Sequence, residues 1–231
     1  MSDIAEEHGL DVVGVARAMK AIPPGTWKRL VDTACSIVES VVAPITETAA
    51  GLGKLIEAKF DRLVEIEKVM AAEAVSSAKR KAKASGKKQT VPRPQILLQV
   101  IEHTASEADS GVRELWSNLL ANELLGMSVH PEIGRVLARL SSEDAQLLVA
   151  ITETKPNKYT RLFAEAMRLA LRVAPFGISV SIGSDLVTFN HAHLQNLGLI
   201  EREDGKWRLS VFGDGFIRAV TDPSLVGGQP A

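Results

Sequence analysis

The side chains most suited to chemistry in this 231-residue chain are few and poorly spaced. His191 and His193 form a His-x-His pair. On a helix, two metal-binding histidines need a spacing of four to share a face, and a spacing of two sends the rings apart. No cysteine stands near them and no acid completes the set, so no metal is expected. Serines, histidines and aspartates are present, but no Gly-x-Ser-x-Gly elbow is. Neither Gly-x-x-x-x-Gly-Lys-Ser/Thr nor Gly-x-Gly-x-x-Gly occurs, so nothing points to a nucleotide or another cofactor. Cys35 lies among apolar residues and reads as a small hydrophobe, not as a nucleophile. Glu123 follows Trp116 by seven positions and Leu119 by four, on a heavily apolar stretch. A carboxylate there must be paired or at an edge, because an unpaired buried charge is costly. An ion pair with an arginine such as Arg135 is the expected solution. No catalytic set emerges, no small-molecule substrate is expected, and the chain reads as a non-enzyme.

The charged residues that do cluster are cations. Lys79, Arg80, Lys81, Lys83, Lys87 and Lys88 fall within ten positions. At the end of a helix they would simply oppose the macrodipole. They could also meet nucleic-acid phosphates or an anionic membrane face, at roughly 1 kcal/mol per residue near the surface. Arg202, Lys206 and Arg208 would add to a nucleic-acid surface. Leu186–Ile200, where a recognition helix would lie, has no Lys or Arg, so direct base readout is poorly supplied.

Composition sets the frame for these elements. Apolar residues make up 45% of the chain and aromatics only 4%, with a formal net charge of -1. A core built on Leu, Val, Ile and Ala is therefore expected, without the overall positive charge of a polyanion binder. A single cysteine excludes an intramolecular disulfide and fits a reducing compartment. The opening Met-Ser-Asp-Ile-Ala-Glu-Glu lacks the basic start of a signal peptide. The most apolar stretch, Leu30–Leu55, is interrupted by Asp32, Glu39, Glu47 and Lys54, so a cytoplasmic location is expected.

The periodicities then place the elements. Residues 1–25 read as a loose segment, with a short helix over Asp11–Ala21 ended by Pro23-Pro24-Gly25. Residues 26–83 read as amphipathic helices, with Thr26 as a cap and a kink or break at Pro44. One long helix is expected from Leu52 to Lys83, with Leu52, Ile56, Phe60, Leu63 and Met70 along its stripe. Residues 84–94, with two prolines and a glycine, form a linker. Residues 95–154 form a helical core centred on Val112–Leu124, capped by Asp109 or Ser110. Ser141 with Asp144 then reads as a capping box. Residues 155–222 alternate helix and strand. A strand is expected over Ile178–Ile182 with a turn at Gly183-Ser184-Asp185, then a short helix capped by Asn190 and running through Asn196, with Gly198 at its C′ position. A hairpin turning on Asp204-Gly205 follows. Residues 223–231 read as a disordered tail. The fold class is mainly α, with long amphipathic N-terminal helices, a central helical bundle and a C-terminal winged-helix-like module carrying a small β-hairpin.

Two stretches carry a family resemblance. One runs from Arg113 to Asn122 through Leu115, Trp116, Leu119 and Leu120, continuing to His130-Pro131 and to Leu140–Ala145 with Asp144. The other is Leu194–Ile200 with Trp207-Arg208-Leu209 and Gly213. Together with Pro92, Pro94 and Val42-Ala43-Pro44, they resemble the bacterial abortive-infection alpha family. The resemblance implies phage defence by aborting infection, and it brings no catalytic residues. The expected activity is binding of a protein partner, or self-association into a homo-oligomer through Leu52, Ile56, Phe60, Leu63 and Met70. A DNA-binding regulator using the basic run and the wing is the alternative, and a membrane-surface-directed effector is a third.

Overall fold

The computed structural model describes residues 23–107, 109–127, 129–154, 156–170 and 189–227. The expected helix at 11–21, the strand at 178–182, the turn at 183–185 and residues 228–231 of the expected tail lie outside the described residues. Eleven helices and one two-stranded antiparallel hairpin make up the rest, so the chain is mainly α.

Helix α1 spans Pro24–Thr48 and starts one turn earlier than the Thr26 cap predicts. Pro24 occupies its first turn, where a missing N–H costs nothing. The helix also runs through Pro44, and the interruption comes at Ala49, whose φ of -146 is not helical. Helix α2, Ala50–Asp61, folds back on α1. Gly53 makes that approach possible, since a Cβ there would stand 2.0 Å from Thr46 Oγ1. The long helix expected from Leu52 to Lys83 is in fact two. Helix α3 starts afresh at Glu65 and ends at Ala84. The Glu67 carboxylate accepts a 3.0 Å bond from the Val64 N–H, which caps the new helix. The buried face of α3 is made mainly of alanines, Ala71, Ala72, Ala74, Ala78 and Ala82, with Val75. Small side chains let it lie close against α4 (Pro94–Ser106) and α5 (Ser110–Leu124).

Helix α5 is the axis of the molecule, with every residue from Leu115 to Leu124 buried. Asp109 caps it, its carboxylate accepting from Gly111 N and Val112 N at 2.8 and 2.9 Å. Gly126, at φ +72, ends it in the left-handed conformation that glycine adopts freely. Helices α6 (Pro131–Leu137), α7 (Ser142–Thr152) and α8 (Lys158–Ala170) follow. Ser141 and Asp144 form the expected capping box on α7. After α9 (Phe189–Asn196), strands β1 (Ile200–Glu203) and β2 (Lys206–Leu209) pair in the register Ile200↔Leu209. Asp204 at φ +50 and Gly205 at φ +75 make the tight turn that their dipeptide predicts.

Helix α10 (Val211–Val220) closes against α5, α8 and β2. Residues 223–227, expected to open a disordered tail, instead form helix α11 against α3, α5 and α8. The buried Pro223 and the Asp222 carboxylate, which accepts from Ser224 N at 2.8 Å, start that turn. One continuous apolar cluster links residues from Ala34 to Val220. The helices before the linker and the core after it therefore share a single interior.

Candidate functional site

The residues singled out by sequence are mostly structural. His191 stacks on Trp207 with ring centroids 5.1 Å apart, and burial lowers its pKa. His193 faces elsewhere, its Nε2 3.0 Å from Arg139 O and 3.7 Å from Asp144 Oδ2. The two rings thus have different neighbours. Among the described residues, no three of His, Cys, Asp and Glu gather as metal ligands do. Cys35 is half-buried and packs against the core. Trp116 is 1% exposed and stacks on His103 at 4.9 Å. Leu115, Leu119 and Leu120 are buried beside it. His130 caps α6, its Nδ1 accepting from Glu132 N at 3.2 Å, and Pro131 takes the first helical position.

Glu123 is paired, but not with Arg135. Arg135 sits at the surface 3.0 Å from Glu132. The partner is Arg93, whose Nε and Nη2 donate to the two carboxylate oxygens at 2.7 and 2.8 Å. Arg93 N adds a 3.1 Å bond to Oε1, and Arg93 Nη2 also donates to Val129 O. The pairing raises the Arg93 pKa. A linker arginine thereby clamps the end of α5, which sequence spacing could not reveal across 30 positions. Asn118 and Asn122 bridge to the other end of the chain. Their amides donate to Val220 O at 3.0 Å and to Ala219 O and Thr221 O at 2.8 and 2.9 Å.

The cationic run is dispersed by its helix. Lys79 donates to Ser40 Oγ on α1 at 2.8 Å. Lys81 turns inward to Glu114 and Asn118 at 2.5 and 2.7 Å. Arg80 lines a cleft, while Lys83, Lys87 and Lys88 remain exposed. In the hairpin, Arg208 pairs with Glu203, Arg202 lies 5.9 Å from the Trp207 ring, and Lys206 is exposed. The hairpin rests on α7, α9 and α10, whereas the run rests on α1 and α5, so the two basic groups are not brought together as one surface.

The expected self-association stripe is largely consumed by the chain itself. Ile56 and Phe60 are 1% and 4% exposed. Leu63 packs against the core and Met70 is half-buried, leaving Leu52 as the open member. The reason is the break before Glu65, which lets α2 fold onto α1 and α4. No helix among the described residues is long and apolar enough to cross a membrane.

A site that spacing did not reveal lies on the far side of α3. A cleft of about 610 Å³ runs between α3 and α8 over α5, with α11 beside it. Met70, Ala74, Leu162, Ala166, Leu169 and Leu225 give it an apolar lining. Leu169 is 83% exposed and Leu225 45%. Glu73, Arg80, Arg113, Glu114, Glu165 and Asp222 bring charge. Glu114 is held by Lys81 and Arg113 donates to Glu107 O, while Asp222 caps α11. Glu73 and Glu165 are exposed and make no ion pair or hydrogen bond among the described residues. The lining contains serines but neither His nor Cys. Met70, Glu73, Ser77 and Arg80 follow helical spacing, which was legible. That α8 would stand opposite them was not.

The model of a family described as abortive infection alpha matches residues 61–220, about two thirds of the chain. The match begins after Val42-Ala43-Pro44 and takes in most of the cleft. No curated protein and no solved structure matches the chain.

Proposed function

This chain belongs to the abortive infection alpha family, and on that premise we propose that it acts in antiviral defence by holding a protein partner in the cleft between α3 and α8. The observation that carries this reading is the lining of the cleft. Exposed apolar side chains lie beside two carboxylates, Glu73 and Glu165, that the described residues leave without a partner. Glu123 and Lys81, by contrast, are spent inside the fold. An exposed apolar surface rimmed by polar groups is the form that interaction sites take. Catalysis finds less support there, because no imidazole or thiol stands with the cleft serines to activate them.

The test is protection of cells against phage, scored by plaque counts. Filling the cleft with Ala166→Trp or reversing charge with Glu73→Lys and Glu165→Lys should abolish protection while the melting temperature stays near wild type. Full protection by folded, cleft-blocked variants would overturn the reading. Nucleic-acid binding has less support, since the run sends Lys79 and Lys81 into contacts within the protein.

A further inference from the structure

We propose that the partner's element held in the cleft is a cationic amphipathic helix, received between α3 and α8. The inference rests on reading the cleft as a partner site, and it names the chemistry of what fills it. The cleft follows α3 from Met70 through Glu73, Ala74 and Ser77 to Arg80. That is about three turns, or 15 Å at the helical rise. Both walls are helices, whose backbone N–H and C=O groups are largely bonded within themselves. An extended segment laid there would find no strand edge, since no β residue lines the cleft. Its own backbone groups would stand unpaired against apolar side chains, which is costly. A helix brings those bonds with it and presents a row of apolar side chains three and four residues apart.

Charge selects the kind of helix. Four acidic and two basic residues line the cleft. Lys81 pairs with Glu114, Asp222 accepts from Ser224, and Arg113 donates to Glu107 O. Glu73 on one wall and Glu165 on the other are exposed, with no ion pair among the described residues. Arg80 is exposed too, but it stands at the end of the cleft, seven residues along α3 from Glu73 and roughly 10 Å away. Lysines or arginines beside the apolar row would therefore meet Glu73 and Glu165. Met70, Leu162, Leu169 and Leu225 would cover the row itself, and the unbranched Met70 side chain adapts to its shape. Ala74 and Ala166, one on each wall, leave room for bulky side chains between them. Exposed ion pairs add little affinity each. The apolar contacts thus hold the helix, and the charges decide which helix is admitted. An acidic helix of the same shape is turned away.

The probes are two stapled helical peptides of about 14 residues, long enough to span the cleft, added to the full chain at low salt. Both carry the same row of leucines, with lysines beside it in one and glutamates in the other. By fluorescence anisotropy, the wild-type chain should bind the lysine peptide about tenfold more tightly than the glutamate peptide. Glu73→Lys with Glu165→Lys should reverse that preference. The same change of net charge at Asp32 and Glu39, exposed on α1 and outside the cleft, should leave it. Ala166→Trp should weaken the binding of both peptides. Melting curves show that each variant is folded. No binding of either peptide, equal binding of the two, or a preference that survives the reversal at Glu73 and Glu165 would each overturn the proposal. So would dimerisation in light scattering that Ala166→Trp abolishes, because the occupant is then a second copy. Phage protection is read separately. Protection lost on filling the cleft, without peptide discrimination, keeps the partner reading and removes the cationic helix. Discrimination with full protection does the reverse.

Discussion

Two polar regions touch the same central helix and are treated oppositely. At the C-terminal end of α5, Glu123 is 5% exposed and receives bonds from Arg93 Nε, Nη2 and backbone N. Nearer the other end, α5 forms the floor of the cleft, where Glu73 and Glu165 stand exposed without a partner. The difference teaches which charges hold the fold and which are left over for something else. A buried carboxylate must be satisfied inside the chain or the fold is penalised. An exposed one is satisfied by water and can exchange that water for a ligand.

The sharpest way to break this comparison is Glu123→Ala. Removing one partner of a buried pair costs roughly 3–5 kcal/mol in full. Arg93 is 38% exposed and keeps part of its hydration, so about 2–4 kcal/mol is expected, read from urea unfolding. A loss below 0.5 kcal/mol would mean that the clamp is ornamental.

Next comes Asn122→Ala, which leaves Ala219 O and Thr221 O without their amide donor. A loss of about 1–3 kcal/mol is expected for unsatisfied buried acceptors, measured the same way.

A smaller effect concerns pH. Burial lowers the pKa of His103 below its ordinary 6.5, partly opposed by Glu102 and Glu107, and burial does the same to His191. A depressed histidine favours the folded state when neutral. That stability is complete above pH 6.5 and is lost as the pH falls below it toward the folded-state values, because the unfolded chain then binds more protons. The urea midpoint should therefore drop between pH 7.5 and 5.5, and the drop should shrink in His103→Gln.

The smallest effect on stability belongs to the cleft. Glu73→Gln and Glu165→Gln should each change stability by less than about 0.5 kcal/mol, as exposed substitutions do, while weakening partner capture. A large loss of stability there would erase the contrast between the two regions.

Much of the architecture was legible because it is set by neighbours in sequence. Asp109 and Ser141 cap where their spacing places them, Gly126 and Gly198 take positive φ, and Asp204-Gly205 turns the hairpin. The Leu and Trp of α5 declared a buried axis. Local signals failed where a competing contact decided the outcome. No break came at Pro44, which lies inside α1, and α3 began anew at Glu65 with an alanine face that carries a weak periodic signal.

What the sequence determined by itself, then, was the inventory: a helical aliphatic core and a hairpin turning on Asp204-Gly205. Each of those depends on residues within about a turn of one another. Only the tertiary structure decided that Glu123 would find Arg93, that Ile56 and Phe60 would face inward, and that α8 would stand across a cleft from α3. Those outcomes depend on side chains from different helices meeting in space, 30 positions apart in the case of Glu123 and Arg93. Periodicity records which face of a helix is apolar and carries no record of what that face will meet.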